Sequence, residues 1–136
     1  MTNQQPVHIF ALHDDRGTRE LVLDGSTYSI GRDPKCTIRL VSQFVSRLHA
    51  TLVQMWHDDG TFYYRIIDGK PRGKQSANGL VINGQKVVAY DLQNGDEVIF
   101  GPQVTAIYRR LEKMQVKQTA VADDAPSNET AIYTRQ

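Results

Sequence analysis

Apolar and polar residues alternate along short stretches of the chain. Within residues 62–67, Phe62, Tyr64 and Ile66 fall on one face of an extended backbone, and Tyr63, Arg65 and Ile67 fall on the other. A period of two marks a strand with one face against a core. Further runs rich in Val, Ile, Tyr, Phe or Thr cover residues 7–12, 20–23, 27–30, 50–56, 62–68, 80–82, 97–100 and 104–111. Turn signals separate them: Asp14-Asp15-Arg16-Gly17, Asp24-Gly25, Asp58-Asp59-Gly60 and Gly101-Pro102. Asn83-Gly84 tolerates the positive φ angles of a tight hairpin. No window carries a convincing helical repeat. About ten short strands with such turns predict an all-β sandwich or barrel, with function on the loops at one end.

Composition sets the bounds. A chain of 136 residues, 40% hydrophobic and 23% charged, has room for one globular domain and a tail. No apolar run approaches the roughly 20 residues of a spanning helix. Residues 1–6 lack the basic start and apolar stretch of a signal peptide, and are read as a flexible N-terminus of a cytoplasmic protein. Cys36 is the single cysteine, without a disulfide or metal-binding companion, which fits a reducing compartment. Lys and Arg total 16 against 15 Asp and Glu, so a formal charge of +1 supplies no global field for nucleic acid or anionic membrane. Residues 115–136 contain no Leu, Phe or Trp, and the segment 113–136 is expected to be a disordered tail.

Enzymatic chemistry finds little purchase. Ser46 and His49 are close in sequence, but no Gly-x-Ser-x-Gly elbow accompanies them. Cys36 has no predicted base beside it and reads as a small packed thiol. His13-Asp14-Asp15 and His57-Asp58-Asp59 hold metal-ligand types, yet each stands where a turn is expected, so no metal and no cofactor is assigned. The informative residues are Gly31-Arg32, Ser46-Arg47-Leu48-His49 and Ser76-Ala77-Asn78-Gly79. Guanidinium, hydroxyl and amide donors together are the chemistry that grips a phosphate. Spacing alone leaves open whether these loops converge or are separate exposed turns.

In order, Gly31-Arg32, Ser46-Arg47-x-His49, Asp68, Ser76-x-Asn78-Gly79, Val81-x-Asn83-Gly84 and Leu92-x-x-Gly95-Asp96 resemble a forkhead-associated (FHA) domain over residues 7–112. The resemblance implies a β-sandwich of about ten or eleven mostly antiparallel strands that binds phosphothreonine. It implies that Arg32 grips the phosphate, Ser46 donates to it, Arg47 adds a contact and Asn78 bonds the peptide backbone, with Ser76 and Ala77 on the same loop. His49 would hold the loops, and Gly31 and Gly79 would serve close approach or unusual φ. Ala77 stands where many members carry Thr or Ser, which removes one hydroxyl donor. Residues 69–75 lengthen the loop after Asp68 and add Lys70, Arg72 and Lys74.

The expected function is a non-enzymatic adaptor or regulator in Ser/Thr kinase signalling. Its partner would be a phosphothreonine protein or peptide, a kinase or its substrate, bound by a monomer. The alternative is a phosphate-independent structural or self-association module. Nucleic-acid binding through Lys70, Arg72, Lys74, Arg109, Arg110 and Lys113 is disfavoured by the charge balance and the lack of a stacking platform. Thr119, Thr130 and Thr134 in the tail are candidate phosphorylation sites. Glu129-Thr130 is similar to the terminal motif that some FHA proteins fold back onto their own site.

Overall fold

The computed structural model describes residues 5–112. The expected tail 113–136, with Thr119, Thr130 and Thr134, lies outside the described residues, as do residues 1–4. Eleven strands run in the order β1 (Val7–Asp14), β2 (Gly17–Leu23), β3 (Thr27–Gly31), β4 (Ile38–Arg39), β5 (Ala50–Trp56), β6 (Phe62–Asp68), β7 (Leu80–Ile82), β8 (Gln85–Val87), β9 (Ala89–Asp91), β10 (Glu97–Gly101) and β11 (Val104–Leu111). No helix among the described residues is long and apolar enough to cross a membrane.

A six-stranded sheet in the order β2-β1-β11-β10-β7-β8 faces a five-stranded sheet in the order β4-β3-β5-β6-β9. Alternation decides which side chains meet between them. Phe10 and Leu12 of β1, Val104, Ala106 and Tyr108 of β11, Leu52 of β5, and Tyr64 and Ile66 of β6 are buried in one core. Each large side chain so removed from water contributes about 1.5–3 kcal/mol before conformational entropy is counted. The period of two in residues 62–67 is borne out: Tyr64 and Ile66 are buried, with Phe62 packed at the core margin.

The eight expected runs all appear as strands, and β4, β8 and β9 join them. These three span only two or three residues and are defined by their pairing, so no run announces them. The β3–β4 pair is parallel, whereas the other paired strands run antiparallel. At the expected hairpin, Asn83 and Gly84 adopt φ of 50° and 87° and join β7 to β8. Inside the larger sheet β1 pairs with β11, placing Val7 opposite Leu111.

Two polar groups sit deep in this frame. His8 is buried against Phe62, stacked with ring centroids 4.4 Å apart. Its Nδ1 meets the Tyr108 hydroxyl, while Nε2 is buried without a partner among the described residues. Burial, then the Arg110 charge, pushes the His8 pKa down to about 4. Burial raises the Asp14 pKa, but N–H bonds from Val41 and Arg16 and the Arg19 charge outweigh it and hold this carboxyl below its ordinary range. Asp14 thereby fastens the β1–β2 turn to the chain beyond β4.

Register explains where the loops emerge. Ile30 of β3 lies opposite Ala50 of β5, and Ala50 lies opposite Asp68 of β6. The end of β3, the start of β5 and the end of β6 are therefore side by side. Three loops leave this one end of the sheet: β3–β4, β4–β5 and β6–β7.

Candidate functional site

Backbone contacts bind the first two loops together. Arg32 N–H donates to Ser46 O at 3.0 Å, Asp33 N–H to Arg47 O at 3.2 Å, and His49 N–H to Ile30 O at 2.8 Å. So close an approach requires glycine at position 31, where an added Cβ would lie 2.2 Å from Arg47 O. The half-buried Cys36 donates its thiol to the same carbonyl at 3.2 Å, and burial raises its pKa. This thiol is a packed one.

His49 ties the β4–β5 and β6–β7 loops to each other and to the end of β3. Its ring is fully buried and set edge-on to Phe100. Nδ1 accepts from Ser46 N–H at 3.0 Å, which leaves the proton on Nε2 to donate to Gly79 O at 2.8 Å. Its backbone carbonyl accepts from Gly69 N–H at 2.7 Å. Burial lowers the His49 pKa, in keeping with the neutral ring that both ring bonds require. The histidine thus faces the amide of Ser46 and not its hydroxyl, so this pair is not built as a nucleophile and base.

Side chains complete the seam. Ser46 Oγ accepts from Ala77 N–H at 2.9 Å, which leaves the hydroxyl hydrogen to donate. Asn78 Nδ2 donates to Phe44 O at 2.6 Å, leaving its second N–H and its Oδ1. Ser76 turns inward: its N–H donates to Asp68 Oδ1 at 3.0 Å and its Oγ accepts from Gly79 N–H at 2.9 Å. That bond closes a tight turn in which Gly79 takes a φ of +80°. Arg32 Nε donates to Val45 O at 2.9 Å, so one edge of the guanidinium is fixed and the two terminal nitrogens have no partner among the described residues. The Arg47 guanidinium likewise has no partner among the described residues. Arg32, Ser46, Arg47, Ala77 and Asn78 are thereby gathered at one end of the sandwich by a neutral, buried imidazole.

The FHA domain family model matches residues 28–101, more than half of the chain. The chain belongs to the FHA family. The Slr1951 protein from Synechocystis is 51% identical to it; the match covers 75% of this chain and 96% of that one, with a TM-score of 0.72. The uncharacterized Synechocystis protein sll1895 is 36% identical over 89 residues, which make up 65% of this chain but only 13% of that protein. EmbR of Mycobacterium tuberculosis, solved with a low affinity phosphopeptide, is 26% identical with a TM-score of 0.58, covering 76% of this chain and 25% of EmbR.

One part of the FHA loop cluster had no signal in the sequence. The carbonyls of Phe44 and Val45 orient Asn78 and Arg32, and a backbone acceptor leaves no trace in residue type. The longer β6–β7 loop is pinned where it starts, with Thr51 Oγ1 donating to Gly69 O at 2.8 Å, and it carries Lys70, Arg72 and Lys74 exposed. The His-Asp-Asp turns serve their own hairpins: Asp59 Oδ1 accepts from the Thr61 N–H and hydroxyl, as Asp14 does from Arg16.

Proposed function

We propose that this FHA domain is a non-enzymatic module that docks a phosphothreonine-bearing protein or peptide, a Ser/Thr kinase or its substrate, in kinase signalling. The observation that carries this reading is the half-used donor set at Arg32 and Ser46. Arg32 has one edge locked on Val45 O and its two terminal nitrogens unclaimed among the described residues, and Ser46 Oγ already accepts from Ala77 and keeps its own hydrogen to donate. A phosphothreonine carries close to two negative charges near neutral pH and offers three strong acceptors. Prearranged donors meet it without reorganising, and a hydrogen bond to a charged group is worth about 1.5–3 kcal/mol. The phosphopeptide bound by EmbR supports the same class of ligand. The absence of a base on the Ser46 hydroxyl supports binding without chemistry.

Isothermal titration with matched phosphothreonine and unphosphorylated peptides tests it. Binding that depends on the phosphate and falls about 100-fold or more in Arg32→Ala is expected, since two charge-assisted bonds are removed. Equal affinity of Arg32→Ala and the native chain would refute the reading.

A further inference from the structure

Beside the phosphate loops lies a cleft of about 530 Å³, lined by Arg32, Arg39 and Arg47 together with Asp15, Asp33 and Ser42. Ser46, Ala77 and Asn78 do not line it, so it runs away from the seam on the far side of Arg32 and Arg47. Arg39 is the new member. Its Nε donates to Arg32 O at 3.1 Å, which aims the guanidinium, and its two terminal nitrogens have no partner among the described residues. Arg16 and Arg19 both donate to the Arg39 carbonyl, which fixes the backbone that carries it.

The carboxylates nearby form no ion pair with this group. Asp14 is spent on Arg19 and two backbone N–H groups, and Asp33 Oδ1 accepts from Lys35 N–H at 2.9 Å. No ion pair within 4.0 Å involves Arg32, Arg39 or Arg47 among the described residues. Three guanidinium groups face two carboxylates, Asp15 and Asp33, across the cleft; the positive excess and the open terminal nitrogens of Arg39 favour a bound anion. An overall charge of +1 hides this, because the excess is local.

We propose that this cleft is a second anion subsite, in which Arg39 holds an acidic group on the same peptide whose phosphothreonine occupies Arg32 and Ser46. The group is a carboxylate or a further phosphate, since both present the oxygen pair that a guanidinium edge grips. Arg32 and Arg47 are shared between the two sites, so the second group lies close in sequence to the first. The proposal rests on the phosphothreonine reading above, and its test separates the two.

The test is fluorescence anisotropy on the full 136-residue chain. The reference is a phosphothreonine peptide with alanine flanks; the probes carry glutamate, or a second phosphothreonine, at each flanking position in turn. The expected result is a gain of roughly fivefold to tenfold at one or two adjacent positions, shrinking as salt is added. The readout is the ratio of acidic to reference affinity, because Arg39 also touches Arg32 O. In Arg39→Gln that ratio should fall to about one, in Arg39→Lys part of the gain should return, and in Arg109→Gln, where the exposed arginine pairs with Glu20 on the β2–β11 side, it should persist. A larger gain from the second phosphate identifies a doubly phosphorylated ligand, and equal gains identify an acidic side chain; either upholds the subsite. Binding of the reference without gain at any position, or a gain that survives Arg39→Gln, overturns the subsite alone. Failure to bind the reference overturns both readings.

Discussion

Gly31→Ala places a methyl group where the backbone of a neighbouring loop already stands. The new Cβ would lie 2.2 Å from Arg47 O, 2.8 Å from its carbonyl carbon and 3.0 Å from His49 N. Ordinary van der Waals separation is about 3.5 Å, so the 46–49 segment must retreat by about 1 Å. Three bonds stitch that segment to the end of β3: Arg32 N–H to Ser46 O, Asp33 N–H to Arg47 O and His49 N–H to Ile30 O. At about 1 kcal/mol each, their loss costs about 3 kcal/mol, within the range seen for overpacked interiors. The same retreat separates Arg32 from Ser46, so phosphopeptide affinity should fall further than stability does. Urea unfolding followed by circular dichroism, with titration calorimetry on the same samples, measures both. Gly84→Ala is the informative contrast, since nothing lies within 4 Å of its Cβ but its φ is +87°. It should cost about 1–2 kcal/mol through left-handed strain and leave binding unaltered. A Gly31→Ala chain within about 0.5 kcal/mol of the native one would refute the close-approach argument.

Acid should weaken the fold through its buried histidines. His8 has its pKa lowered from 6.5 to about 4. Above pH 6.5 it is neutral in both states; below it, the unfolded chain takes up the proton first, so stability drains away between about pH 6.5 and 4, by about 3 kcal/mol for His8. The His49 shift has the same sign and adds to the loss. Urea midpoints at pH 7 and 4.5 should therefore differ, less so in His8→Phe, and an equal pH dependence in the two chains would count against the buried, neutral His8. His49→Phe keeps the ring volume beside Phe100 but strands the Ser46 N–H and Gly79 carbonyl. It should cost about 2–4 kcal/mol and abolish phosphopeptide binding, as unfolding curves and calorimetry would show; native affinity would mean that the imidazole does not hold the loops.

The sequence exposed the sandwich wherever a strand had to satisfy a core. Tyr64 and Ile66 alternate because one face of β6 is dry, and Asn83-Gly84 announces a hairpin because few other pairs accept two positive φ angles. It was silent on Ile38–Arg39, whose two residues become a strand only through parallel pairing with β3. The site was legible as an ordered set of motifs, but its convergence was not. Which loops meet depends on Ile30, Ala50 and Asp68 sharing a register, and which donors stay open depends on carbonyls at Phe44 and Val45. Arg39 drew no notice because a guanidinium on a two-residue edge strand gains meaning only beside Arg32 and Arg47.

The pairing of Val7 with Leu111 also bears on how such a unit is made and reused. The first strand of this unit waits for the last before its sheet can close, so folding is governed by contacts of very long sequence separation and should be slow for a domain of this size. The same pairing brings the entry and exit points of the fold to within about 5 Å of each other, the separation of paired residues on neighbouring strands. A polypeptide that carries this unit is interrupted by only the width of one strand. The fold is thereby suited to insertion into, or attachment to, a larger chain without forcing that chain apart.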